Sequence, residues 1–166
     1  MRSVKGEGAR TMAGAEPVKK TVEVDQLNWL ARALDIYMMS EHLRPEELIG
    51  KLSGLELLAY PEGSVIVGEG SPGRDLFVLF NGNAAVTRAG KPVAQLTPGD
   101  LFGEIGFLVG VPRTATVSAG PDCEAFRCEA RAFEEILSEH PNLLDSMRTI
   151  AKLRMEKLQR PAGGNP

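Results

Sequence analysis

Between Leu55 and Glu129 the chain is broken into short pieces by turn residues, and this rhythm limits its possible folds more than any other feature. Seven runs suited to strands can be read: Leu55–Tyr60, Ser64–Val67, Asp75–Phe80, Asn83–Arg88, Pro92–Leu96, Thr114–Ala119 and Cys123–Cys128. Between them stand Pro61-Glu62-Gly63, Ser71-Pro72-Gly73, Asn81-Gly82, Ala89-Gly90 and Thr97-Pro98-Gly99. Glycine opens positive φ to the backbone and proline presets its own φ, so such clusters reverse a chain. Many short strands turning at this pace predict an antiparallel sandwich or barrel-like roll. Asn81-Gly82, flanked by two apolar runs, carries the strongest hairpin signal.

Helical patterns flank this region. Residues 1–24, rich in Gly, Ala and Lys and without apolar periodicity, are expected to form a flexible arm. Asp25 is a good N-cap, and Leu27, Leu30, Ala31, Leu34 and Met38 then recur at helical spacing. A second helix is expected from Pro45, with Glu46 and Glu47 in its first turn, through Leu48, Ile49 and Leu52 to a stop at Gly54. After the strands, Ala130–Glu139 and Asn142–Gln159 read as two more helices divided by Pro141, and residues 160–166 form a tail. The expected fold is therefore α+β: N-terminal helices over 25–54, an antiparallel β-roll over 55–130, and C-terminal helices over 131–159. With 166 residues there is room for one such domain and one core.

Charge and cysteine usage narrow the function. A formal net charge of −3 gives no reason to expect a nucleic-acid or membrane partner. The basic excess of the C-terminal stretch, from Arg148, Lys152, Arg154, Lys157 and Arg160, reads as a solvated helix face. No apolar run is long enough to span a bilayer or to act as a secretory signal, so a cytoplasmic location is expected. Cys123 and Cys128 lie an odd number of residues apart on one strand, which sends them to opposite faces as free thiols.

The chemistry concentrates in Leu101-Phe102-Gly103-Glu104-Ile105-Gly106-Phe107-Leu108 and the following Pro112-Arg113-Thr114-Ala115-Thr116. A single helical turn starting at Gly103 would aim unpaired backbone N–H groups at an anion, and glycine there lets a ligand approach closely. Arg113, expected at a strand start, can meet a phosphate with paired charge-assisted hydrogen bonds. Glu104 accepts hydrogen bonds and would repel a phosphate, so the group that suits it is a sugar hydroxyl. Together these describe a site for a sugar joined to one phosphate.

At these residues the chain resembles the phosphate-binding cassette of the cyclic-nucleotide-binding domain family, shared by catabolite-activator-type regulators, kinase regulatory subunits and nucleotide-gated channels. The resemblance extends to Tyr60-Pro61-Glu62-Gly63-Ser64-Val65-Ile66, Gly68-Glu69-Gly70-Ser71-Pro72-Gly73, Leu76-Phe77-Val78-Leu79-Phe80-Asn81-Gly82 and Gln95-Leu96-Thr97-Pro98-Gly99-Asp100. It covers roughly residues 45–158, with the cassette at 101–116. It implies that Glu104 binds the ribose 2′-hydroxyl and Arg113 the cyclic phosphate of cAMP or cGMP. It implies further that backbone groups of Gly103, Ile105 and Ala115 complete the cradle, with the Thr114 hydroxyl beside the phosphate. Val86 and Leu96 would line the purine side, and the final helix would close over the base. A hydroxyl at Thr114 is compatible with either nucleotide, so the choice between cAMP and cGMP stays open.

Other motifs carry less. Gly68-x-Gly70-x-x-Gly73 matches a dinucleotide fingerprint in letters, but Pro72 and the following strand deny it the helix that such a site requires. His42 and His140 are far apart without a ligand pattern, and Ser71 lacks the strand-to-helix elbow of a nucleophile. No metal and no cofactor are therefore expected, and neither is an enzyme, for want of a metal cluster or general base. No helix-turn-helix is read after Leu158, so direct DNA reading is not expected. The output would pass to a protein partner of unknown identity, to a larger assembly, or to a homodimer formed through the first or last helix; sequestering nucleotide is a further possibility. The alternative is a β-roll interaction domain whose nucleotide pocket is degenerate or unused.

Overall fold

The computed structural model describes residues 15–35, residue 46 and residues 54–159. The elements run β1 (Val18–Lys20), α1 (Val24–Asp35), β2 (Leu55–Ala59), β3 (Val65–Val67), β4 (Leu76–Asn81), β5 (Ala84–Arg88), β6 (Lys91–Leu96) and β7 (Leu101–Phe102). They continue with α2 (Glu104–Val109), β8 (Thr116–Ala119), β9 (Glu124–Cys128), α3 (Ala130–Glu139) and α4 (Pro141–Gln159). Every strand pair is antiparallel, in one sheet ordered β1-β2-β9-β4-β7 and another ordered β3-β8-β5-β6.

Two cores follow from period-two alternation. Leu57, Leu76, Val78, Phe126 and Cys128 face the helices, where they meet Leu30 and Leu34 of α1, Phe133 and Ile136 of α3, and Leu143 and Met147 of α4. Leu58, Phe77, Leu79, Cys123 and Ala125 face the second sheet and pack with Ala84, Leu96, Phe102 and Val117. The larger sheet is thus covered on both sides, which explains why β4 reads as the continuous apolar run Leu-Phe-Val-Leu-Phe. The two cysteines are free and lie in different cores, as their spacing requires.

Several local expectations need correction. The arm expected over residues 1–24 carries strand β1, whose Val18 and Lys20 lie opposite Ala59 and Leu57 of β2. Lys19 pairs with Glu56 at 2.9 Å and Lys20 pairs with Glu124, so ladder bonds and charge hold the strand without apolar burial. Helix α1 begins at Val24, before the expected cap at Asp25. The Glu23 carbonyl accepts the N–H groups of Gln26 and Leu27, while the Gln26 side chain accepts the N–H of Glu23 at 2.8 Å. That is the reciprocal half of a capping box. Asn81-Gly82 is not a hairpin, since β4 and β5 lie in different sheets and the turn carries the chain between them. Gly82 has φ +72°, and a Cβ there would stand 2.5 Å from the Pro121 carbonyl oxygen. The tight hairpin is Ala89-Gly90, with φ of 48° and 75°, joining β5 to β6. The doublet Leu101–Phe102 forms an unexpected strand, β7, on the edge of the larger sheet.

The second helix expected from Pro45, with Glu47, Leu48, Ile49 and Leu52, lies outside the described residues apart from Glu46, which is helical and exposed. Met38, His42 and the tail lie outside them too.

Candidate functional site

Helix α2 is one short helix wedged between β7 and the loop that leads to β8. Gly103 precedes it with φ +84°, and a Cβ at Gly103 would sit 2.7 Å from the Asp75 carbonyl oxygen and 2.9 Å from Arg113 Nη1. Glycine is therefore required here twice, by conformation and by space. The first residue after it, Glu104, is 2% exposed although charged.

Arg113 is 7% exposed and does not stand at a strand start, because β8 begins only at Thr116. The glycine-rich loop before β4 fixes it instead. The Gly70 N–H donates to the Arg113 carbonyl at 2.7 Å, and the Arg113 N–H donates to the Ser71 carbonyl at 2.9 Å. The stretch whose letters imitate a dinucleotide fingerprint thus serves as a backbone clamp on an arginine. The guanidinium donates from Nη1 to the Gly103 carbonyl at 3.0 Å and from Nη2 to the Asp75 carbonyl at 2.9 Å. Burial lowers its pKa from the ordinary value, while the Asp75 and Glu104 carboxylates act the other way. It stays a cation at any physiological pH.

These groups open onto a cavity of about 230 Å³. Gly103, Glu104, Ile105, Arg113, Thr114, Ala115, Val86 and Leu96 all line it. Val67, Phe102 and Val117 add apolar wall from the strands. Across the opening lies α4, which contributes Arg154, Lys157 and Leu158. Arg154 Nη1 lies 2.7 Å from Glu104 Oε1 and also donates to the Leu101 carbonyl. Arg88 of β5 donates to the Leu158 carbonyl at 2.9 Å and so holds the last turn of the helix. The end of α4 thus forms one wall of the cavity.

The basic tail read as a solvated face is partly a cavity wall. A charged face toward water and a charged face toward a polar cavity share one helical periodicity, so no signal in the sequence separates them. Among the lining side chains, Arg113, Arg154 and Lys157 are cationic and Asp100 and Glu104 anionic. Three cations against two anions leave the cavity wall with a net positive charge, which favours an anion. Apolar walls on the strand side suit a flat, weakly polar ring.

Among the described residues, no group of three or more His, Cys, Asp or Glu side chains gathers as a metal site, and no helix is long and apolar enough to cross a membrane. His140 serves the junction of α3 and α4 through its backbone, donating to Ile136 and accepting from Leu143.

Comparison with known proteins gives a consistent result. Residues 57–140, just over half of the chain, match the model of the cyclic nucleotide-binding domain. The chain is 28% identical over 145 residues to the mouse potassium/sodium hyperpolarization-activated cyclic nucleotide-gated channel 3, covering 87% of this chain and 18% of the channel. It is 33% identical over 119 residues to the cAMP-dependent protein kinase regulatory subunit of Neurospora crassa, covering 70% of this chain and 31% of that subunit. Among solved structures, the Thermus thermophilus catabolite activator protein aligns with a TM-score of 0.60 at 27% identity, over 69% of this chain and 56% of that one. A cyclic nucleotide-binding domain from Methylobacillus flagellatus shares the fold with a TM-score of 0.66 at 20% identity, over 86% of this chain and 80% of that one.

Proposed function

Because the chain belongs to the cyclic nucleotide-binding domain family, we propose that its cavity holds cAMP or cGMP and that α4 is the lid responding to it. Arg113 takes the cyclic phosphate, and the N–H groups at the start of α2, with the backbone of Gly103, Ile105 and Ala115, complete the anion cradle. Glu104 accepts the ribose 2′-hydroxyl. Thr114 sets its hydroxyl beside the phosphate, and Val86 and Leu96 lie against the purine. Arg154, Lys157 and Leu158 face the base from α4. The observation that carries this reading is the burial of Glu104 and Arg113, at 2% and 7% exposure, in the wall of one cavity. Each is held in place by its own partners, Glu104 by Arg154 and Arg113 by the Gly103 and Asp75 carbonyls, so both are fixed in the cavity wall before a ligand arrives.

The module does no chemistry on its ligand. Lid movement is its output, and a protein partner reads it. Its two buried free thiols fit a reducing compartment such as the cytoplasm. The homologous stretch is a small part of the channel and kinase-subunit relatives, so a partner or assembly is what their architecture suggests here too.

One observation favours a second reading. Glu104, the group assigned to the ribose, is already paired to Arg154 under a closed lid. On that reading the chain is a β-roll interaction domain whose pocket is unused. Isothermal titration of nucleotide-stripped protein with cAMP and with cGMP decides between them. Micromolar or tighter binding of either supports the sensor. No heat and no thermal stabilisation with either, in folded protein, overturns it in favour of the interaction domain.

A further inference from the structure

Behind the cavity, Arg113 leans on a residue that a second arginine holds. Its Nη2 donates to the Asp75 backbone carbonyl, while the Asp75 carboxylate is gripped by Arg127 of β9. Arg127 Nε and Nη2 both reach Asp75 Oδ2, at 2.9 and 2.8 Å. Arg127 Nη1 lies 3.6 Å from Glu56 of β2, and Glu56 in turn meets Lys19 of β1. From the edge strand to the cavity, the charges of Lys19, Glu56, Arg127, Asp75 and Arg113 alternate in sign.

Arg127 shares a strand face with Ala125, which packs between the two sheets, and it pairs in register with Phe77 and Glu56. At the rim of that face, with its side chain 39% exposed, it stands beside Glu56 and Asp75. What an arginine adds there is a countercharge for Asp75.

That countercharge matters because Asp75, whose backbone carbonyl Arg113 holds, carries a carboxylate near enough to favour the cationic form of Arg113. A carboxylate that stabilises a cation also competes with any incoming anion for it. We infer that Arg127 is a positioning residue for the anion site, holding the Asp75 carboxylate in an ion pair so that the Arg113 guanidinium is left open to a phosphate. The inference rests on the reading of the cavity as a cyclic-nucleotide site. Arg127 itself does not line the cavity and touches no ligand.

The test is titration of the full chain with cAMP and cGMP, comparing the unsubstituted protein with R127Q, R127K, D75N and the double variant D75N/R127Q. R127Q should weaken binding about tenfold, the factor that corresponds to about 1.4 kcal/mol. R127K, which keeps the countercharge, should stay much closer to the parent. D75N should bind at least as tightly as the parent, since the competing charge is gone. The double variant should recover to near the parent, the non-additivity expected of two residues in one ion pair. If R127Q binds like the parent, or the double variant binds no better than R127Q, Arg127 is only a strut and the inference is overturned. Should the unsubstituted protein bind neither nucleotide, the reading of the cavity falls first and this inference falls with it.

Discussion

Arg154 on α4 and Glu104 on α2 form an ion pair at 2.7 Å that ties the last helix to the wall of the cavity. The pair is lopsided, with side-chain exposures of 31% for the arginine and 2% for the glutamate. An arginine released from it can reach water, whereas the carboxylate cannot.

Removing the two partners should therefore cost different amounts. Arg154→Ala strands a buried carboxylate and should lower stability by about 2–3 kcal/mol. Glu104→Gln leaves Arg154 free to swing outward and should cost about 1 kcal/mol or less. Urea midpoints of the two variants check this, and equal costs would refute the asymmetry.

On the proposed reading Arg113 supplies the charge for the phosphate, so its loss should be felt mainly in binding. Arg113→Ala should weaken cAMP and cGMP at least about a hundredfold, because two charge-assisted hydrogen bonds at about 1.5–3 kcal/mol each are forfeited. Arg113→Lys should rescue little, since an ammonium lacks the planar fork. Titration calorimetry reads both, and near-native affinity in the alanine variant would remove Arg113 from the site.

Gly103 and Gly90 both have positive φ, of 84° and 75°. They differ in surroundings, because a Cβ at Gly90 meets nothing within 4 Å while one at Gly103 meets Asp75 and Arg113. Gly90→Ala should cost about 1 kcal/mol of stability and leave binding unchanged. Gly103→Ala should cost more and also weaken binding by displacing the Arg113 guanidinium. Thermal melts with and without nucleotide separate the two cases.

Alkali should destabilise the fold. Burial pushes the Cys123 thiol up to about 11, the Cys128 thiol up to about 12 and the Tyr60 hydroxyl up to about 12. In the unfolded chain these groups ionise at their ordinary values, 9.0 for the thiols and 10.0 for the phenol. A group with a raised folded pKa contributes its stability fully below the unfolded value and loses it as pH climbs toward the folded one. The urea midpoint should therefore hold near neutral pH and fall steadily from about pH 9 upward. Iodoacetamide should label neither cysteine in folded protein at pH 8 and both after denaturation; rapid labelling of the native state would contradict their burial.

Much of this was written locally. The runs from Leu55 to Cys128 became strands because alternation and turn residues act over a few positions, and Ala130–Glu139 became a helix for the same reason. The opposed burial of Cys123 and Cys128 followed from period two alone. Glu104 and Arg113 could be picked out because their residue types, at nine residues' separation around glycines, match the needs of a sugar phosphate.

What the sequence could not supply was the choice of distant partners. Asn81-Gly82 specified a turn but not whether the next strand would pair or cross to the other sheet, since φ at a glycine says nothing about where β5 finds its neighbours. Strand β1 buries no apolar face and so left no pattern, although β2 offered it a free edge. Arg154, fifty residues from Glu104, carried the same helical spacing as any solvated arginine. Turn and helix signals are short-ranged, whereas these contacts exist only once both cores have closed and brought β1, β9 and α4 to fixed places. The sequence by itself determined a β-roll and singled out Glu104 and Arg113; only the tertiary structure decided which charges stand behind them and which helix lies across their cavity.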